Sequence, residues 1–246
     1  MALCPRCQQP LSDPPERFCP SCGAELAPAV RSTPWEQRGR IGLLSALVDT
    51  TQQVLTRPTE FFRAMPVTGG LGGPLLYGVI VGYVGLVASA IYDAIFQAVA
   101  GPRLFGMPHR SELDQFLPYF QGGLALVFRI VLGPLVIAVG LFILSAILHV
   151  LLLLFGGAPR GFEATFRALC YTQAASAFHL IPFCGWAISF IYMLVLIIVG
   201  LSEAHGIGRG RAAAAVLVPL FLFCCCCVGA VILAVGGLAS ALGTLK

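Results

Sequence analysis

Residues 130–155 read IVLGPLVIAVGLFILSAILHVLLLLF, an apolar run whose only ionisable residue is His149. A helix needs about 20 apolar residues to cross the roughly 30 Å hydrocarbon core of a bilayer, and this run is long enough despite Pro134. The whole chain is similarly rich in apolar residues, since 58% of its 246 residues are hydrophobic and 11% are charged. Soluble domains contain about 25% charged residues. The sequence therefore predicts an all-α polytopic membrane protein.

Four further apolar stretches complete a predicted bundle of five transmembrane helices within residues 67–246. We expect the spans at about 75–99, 130–155, 165–182, 184–201 and 213–239. The third is the most polar, because Arg167, Gln173 and His179 lie inside it. Such residues are costly in lipid, so this span should be shielded by the other helices.

The distribution of basic residues predicts the orientation. With five spans, eleven basic residues fall on the N-terminal side and four on the other. Basic residues are enriched on the cytoplasmic face, so we expect a cytoplasmic N-terminus and a C-terminus on the opposite side. Fourteen Arg against one Lys suggest a GC-rich bacterial genome, and hence the inner membrane of the cell. The first thirty residues lack the apolar core of a signal peptide, and a net charge of +4 does not suggest nucleic acid as a partner.

Two C-x-x-C pairs, Cys4/Cys7 and Cys19/Cys22, lie near the N-terminus. Each pair places two thiolates on one tight turn, and two such turns make a tetrahedral four-sulfur site for zinc. A reduced cytoplasm favours zinc over disulfides, which remain the alternative for an exported N-terminus. Residues 1–27 are therefore predicted to form a zinc ribbon around one structural Zn²⁺ ion. A closed site of this kind has no open coordination position and is not expected to be catalytic.

Two segments join the ribbon to the first span. Residues 28–40 are polar and contain Pro28 and Pro34, which predicts a linker. Residues 41–66 predict an amphipathic segment in the membrane interface. Its apolar residues recur at helical spacing at Ile41, Leu44, Leu47, Val48 and Leu55.

Three sequence blocks resemble the Yip family, membrane proteins named for their interaction with Rab-type small GTPases in eukaryotes and also widespread in bacteria. Residues 57–66 read RPTEFFRAMP and are followed by GPL at 73–75. Residues 161–171 read GFEATFRALCY, and residues 200–206 read GLSEAHG. The resemblance covers about residues 55–240. It implies a bundle of five spans with the N-terminus in the cytoplasm.

Several polar residues in or beside the spans are candidates for an intramembrane site, because such groups are rarely placed in lipid without a role. They are Asp93, Arg167, Tyr171, Gln173, His179, Glu203 and His205. Most are expected to act as hydrogen-bonding contacts between helices. Gly78 and Gly82 form a GxxxG motif, which predicts close helix packing within one bundle or between two copies in a homo-oligomer.

The chain carries no H-E-x-x-H, G-x-S-x-G or Walker lysine motif, so we do not expect an enzyme. We expect a non-enzymatic membrane protein whose zinc ribbon recruits a cytosolic protein partner, or which organises the bilayer around it. The alternative is a small-molecule or ion transporter or channel that uses the polar third span. That alternative requires Gln173, Ser176 and His179 to face a water-filled cavity together with Asp93 or Glu203.

Overall fold

The computed structural model describes residues 7–9, 19, 21–23, 32–104 and 112–243. Within these ranges all regular elements are helices, which confirms the all-α prediction. The α-helices are α1 Arg38–Ile41, α2 Leu43–Thr56, α3 Pro58–Ala64, α4 Gly72–Leu104, α5 Glu112–Leu154, α6 Gly161–Thr172, α7 Gly185–His205 and α8 Arg209–Gly243. Two 3-10 helices, Pro34–Gln37 and Gln173–Leu180, precede α1 and follow α6.

Four of these helices are long and apolar enough to cross a membrane. Their spanning segments are Gly72–Phe96, Leu126–Leu154, Gly185–His205 and Arg209–Gly229. They coincide with the first, second, fourth and fifth predicted spans. A helix can cross a bilayer because its backbone donors and acceptors are satisfied internally. The protein is thus an all-α polytopic membrane protein.

The predicted third span, 165–182, is not one continuous α-helix. It is formed by α6 and the 3-10 helix that follows it, and neither part is among the four long apolar helices. Twelve α-helical residues rise about 18 Å, and eight 3-10 residues add about 16 Å, so the two together match the thickness of a bilayer core. Residues 164–172 are buried by neighbouring helices, as their polarity requires.

This broken helix runs beside α4 and in the same direction. A β-carbon placed on Gly78 would lie 3.0 Å from the Cys170 carbonyl oxygen, and one on Gly85 would lie 2.7 Å from that of Ser176. Further along α4, the Tyr92 hydroxyl donates to the Leu180 carbonyl at 2.8 Å. The glycines therefore let the two backbones approach closely, as in other membrane helix pairs. The GxxxG motif packs inside this bundle, because a β-carbon on Gly82 would lie 3.1 Å from the side-chain oxygen of Gln173.

One end of the bundle collects several arginines and is called here the arginine end. Arg63 of α3 pairs with Glu203 near the end of α7, and Arg209 at the start of α8 donates to Thr59. Arg160, just before α6, donates to the Ala204 carbonyl of α7 at 2.9 Å. Helix α3 starts at Pro58, whose missing N–H and fixed φ suit the first helical position. The contacts of Arg63 and Thr59 hold α3 against the end of α7 and the start of α8.

Candidate functional site

Three of the four predicted metal ligands lie together. The sulfur atoms of Cys7, Cys19 and Cys22 are all within 4.8 Å of one another, and the sulfurs of Cys7 and Cys19 are 3.6 Å apart. A disulfide requires about 2.05 Å, so these sulfurs are not joined to each other. The spacing is typical of thiolates that share one metal ion. Cys4, the fourth predicted ligand, lies outside the described residues.

The two C-x-x-C turns end in the same backbone conformation. Gln8 follows Cys7 with φ +55°, and Gly23 follows Cys22 with φ +64°. The left-handed conformation suits glycine and is uncommon elsewhere, so its repetition after each pair indicates one turn type used twice. Within the second turn, the backbone N–H of Ser21 lowers the pKa of the Cys19 thiol, although burial opposes this. A lowered thiol pKa favours the thiolate that binds metal.

Residues 32–37, called here the strap, lie within the stretch predicted as a linker over 28–40 and form a short ordered element there. Thr33 and Glu36 form a capping box around the 3-10 helix, with Pro34 at its first position. Trp35 is completely buried, and its indole N–H donates to the Gly73 carbonyl at 2.7 Å. Its ring lies edge-on to that of Tyr77, 5.7 Å away. The strap is therefore part of the protein core, docked at the start of α4.

Arg167 and Tyr171, two of the predicted polar residues, bind the strap from helix α6. The Arg167 side chain is 1% exposed and forms an ion pair with Glu36. It also donates to the carbonyls of Pro66 at 2.6 Å and Gly70 at 2.8 Å. The Tyr171 hydroxyl is 3.0 Å from that of Thr33. A buried charge is tolerated only when it is paired and hydrogen-bonded, and Arg167 meets both conditions.

A second buried polar group connects α5, α6 and α7. The Thr165 hydroxyl lies 2.9 Å from His149 Nδ1 and 2.8 Å from Nε2 of His205. The backbone N–H of Arg160 is directed at the other nitrogen of His205, 3.4 Å away. His205 was predicted to be a polar site residue, whereas Thr165 was not, because a threonine in a helix gives no sequence signal of its partners.

The remaining predicted polar residues occupy separate places. Asp93 pairs with Arg129 at 2.9 Å, with both side chains about half exposed, and Glu203 pairs with Arg63. Gln173 and His179 bond within their own 3-10 helix, to the Ser176 hydroxyl and carbonyl respectively. The structure thus does not bring the seven residues into one site. Two described cavities, of about 490 and 520 Å³, lie beside the strap, and neither is lined by Gln173, Ser176 or His179.

The sequence matches the family model of the Yip1 domain over residues 53–241, more than three quarters of the chain. This protein belongs to the Yip family. Comparisons with curated proteins and with solved structures found no match. The Yip1 domain match includes Arg167, Tyr171 and all four long apolar helices, and it confirms the resemblance carried by the three sequence blocks.

The cysteine cluster and the strap both precede the Yip1 domain match. The strap nevertheless binds residues inside that domain, through Glu36 to Arg167 and Thr33 to Tyr171. The capping-box pattern Thr33-x-x-Glu36 is the local signal that could have revealed the strap from sequence. In this Yip1 domain protein the N-terminal addition is therefore joined to the membrane domain through buried contacts.

Proposed function

We propose that this protein is a non-enzymatic Yip-family membrane protein that recruits a cytosolic protein partner through an N-terminal zinc ribbon. One structural Zn²⁺ ion is held by Cys4, Cys7, Cys19 and Cys22. Sulfurs around a tetrahedral zinc ion lie about 3.8 Å apart, given a Zn–S distance of about 2.3 Å. The 3.6 Å between Cys7 and Cys19 supports this assignment.

The observation that carries the proposal is the docked strap. Eight residues, 24–31, separate Gly23 from the strap, and a chain of that length reaches at most roughly 30 Å. Because Trp35 and Glu36 are fixed in the bundle, the ribbon is restricted to the neighbourhood of the arginine end. A closed zinc site offers no position for a substrate, but its surface can bind a protein. Such a geometry keeps a recruited partner close to the bilayer.

The same end of the molecule supports the proposed orientation in the membrane. Arg63, Arg160 and Arg209 all make contacts at the arginine end. Basic residues are retained on the cytoplasmic face, so the ribbon faces the cytoplasm and the C-terminus lies on the opposite side of the inner membrane. This is also the compartment in which thiolates bind zinc rather than forming disulfides.

The test is affinity purification of the full-length protein from native membranes into lipid discs, followed by measurement of bound metal and co-purifying proteins. We expect one zinc ion per chain and a reproducible partner, both lost when Cys4, Cys7, Cys19 and Cys22 are changed to Ser. The matched control is Cys184→Ser, which alters an exposed cysteine before α7 and should change neither. A variant lacking the four thiols that kept its zinc and its partner would contradict the proposal. Zinc without any partner would contradict recruitment and leave the ribbon as a structural cap.

A further inference from the structure

Helix α2 divides its surface into three sectors. Ala46, Thr50 and Val54 are buried against the bundle. Leu44 and Val48 project outward and are 74% and 53% exposed. The polar residues occupy the third sector: Ser45, Asp49, Gln52, Gln53 and Thr56. At 100° per residue these three sets fall on separate sides of the helix.

The surroundings of two sectors are visible in the structure. The buried sector contacts the protein core, and Asp49, Gln52, Gln53 and Thr56 line the open cavity of about 520 Å³ beside the strap. The outward sector of Leu44 and Val48 presents bulky aliphatic side chains on a protein that has four helices long and apolar enough to span a membrane. A helix with a protein side, a polar side and an apolar side is suited to the boundary between headgroups and acyl chains. The occupant that fits the apolar strip of Leu44 and Val48 is therefore lipid.

The polar sector is unusual because it carries no positive charge. Residues 43–56 read LLSALVDTTQQVLT, in which Asp49 is the only charged residue. Interfacial helices that bind anionic lipids carry Lys and Arg on this side. The neighbouring arginines lie outside α2, and each has a contact in its own segment: Arg38 stacks over Trp35 at 5.1 Å, Arg40 donates to Gln37, and the exposed Arg57 lies 3.9 Å from the exposed Glu60. The residues of α2 itself therefore favour insertion through apolar burial and supply no attraction to lipid charge.

We infer that α2 senses lipid packing: the strip of Leu44 and Val48 inserts where headgroups are loosely packed, so that the protein favours curved membrane whatever the charge of its lipids. Apolar insertion requires room between headgroups, and a curved leaflet provides more of it. This function uses none of the cysteines and is independent of the proposed recruitment. Its partner is a lipid surface.

The first test measures the depth of the two sides of α2 in the full-length protein reconstituted into vesicles. Leu44→Trp is compared with Gln52→Trp in a Trp186→Phe background, which leaves only the buried Trp35. We expect lipids with brominated acyl chains to quench the Trp at position 44, and aqueous acrylamide to quench the one at 52. Protection of position 44 from both quenchers would overturn the inference and indicate that a second copy or another protein covers the strip.

The second test measures sorting of the fluorescently tagged protein between a giant vesicle and a narrow tubule pulled from it. We expect enrichment in the tubule, equal in neutral and in anionic lipid, and a reduction when Leu44 and Val48 are both changed to Ser. Changing Gln52 and Gln53 to Ser is the matched control and should leave enrichment intact. Changing the same two glutamines to Lys should make enrichment depend on anionic lipid. Unchanged sorting of the Leu44/Val48 variant, or a wild type that sorts only in anionic lipid, would overturn the inference.

Discussion

Arg167 is a single residue that joins three parts of the chain. Its guanidinium contacts Glu36 of the strap, the carbonyls of Pro66 and Gly70 before α4, and Glu163 one turn earlier in α6 at 3.9 Å. A guanidinium has five donors in a planar arrangement, so it can satisfy several acceptors at once. Helix α6 thereby anchors the N-terminal segment.

Replacing Arg167 with Met should destabilise the protein by about 3 kcal/mol. The apolar side chain fills a similar volume but leaves Glu36 and two carbonyls without their donor, and removing one partner of a buried pair costs about 3–5 kcal/mol. We expect the lower end because Glu36 keeps partial contact with solvent. Thermal unfolding in lipid discs measures the change. The matched control is Arg63→Met. The Arg63 side chain is 67% exposed in its pair with Glu203, so that pair should contribute less than about 1 kcal/mol. Equal losses of stability in the two variants would contradict the role of Arg167 as a buried anchor.

Thr165→Val tests the hydroxyl between the two histidines. Valine has nearly the same shape, so the change removes the hydrogen bonds to His149 and His205 and little packing. His205 is buried, and a buried polar atom without a partner costs about 1–3 kcal/mol. We expect a loss of stability in this range by the same unfolding assay. Thr56→Val, which removes an exposed bond within α2, should have almost no effect; a Thr165 variant as stable as this control would show that the bridge contributes nothing.

At the scale of elements, close packing of α4 on the 3-10 helix Gln173–Leu180 depends on glycine. At Gly85 a β-carbon would lie 2.7 Å from the Ser176 carbonyl oxygen and 2.9 Å from its β-carbon. Gly85→Ala should therefore force the two segments apart and cost about 1–3 kcal/mol. Gly140→Ala is the matched control, because a β-carbon there meets no atom within 4 Å, and it should stabilise α5 by up to about 1 kcal/mol. The two alanine variants should shift the unfolding temperature in opposite directions; a shared direction would contradict the packing described.

Elements defined by local composition could be predicted from the sequence, and elements defined by distant contacts could not. The four long helices agree with their predicted spans because hydropathy depends only on neighbouring residues. The strap resembles a linker in composition, and its partners Arg167 and Tyr171 lie 131 and 138 residues away from the residues that they bind. Similarly, the polarity of residues 165–182 indicates that they are shielded, but it does not indicate that Gln173–Leu180 forms a 3-10 helix. The polar residues were identifiable individually, while their separate pairings required the fold.

On the scale of the whole molecule, the cysteine cluster and the membrane bundle should respond separately to loss of metal. A small ribbon has too little core to fold alone and derives its stability from the metal, through a binding free energy of about 10–16 kcal/mol for structural zinc. The strap is held to the bundle by Trp35 at Gly73, Glu36 at Arg167 and Thr33 at Tyr171. Chelation should therefore unfold the ribbon and leave the strap docked.

Hydrogen exchange of the full-length protein in lipid discs, with and without a zinc chelator, measures this separation. We expect chelation to accelerate exchange in residues 4–23 and to leave residues 33–37 protected. Trp35→Ala should produce the reverse pattern, because it removes the buried anchor of the strap without touching a cysteine; bound zinc should be unchanged. If chelation also released the strap, the two parts would fold as one cooperative unit. Metal binding would then control the contacts of Arg167, and the ribbon would act on the bundle rather than merely being positioned by it.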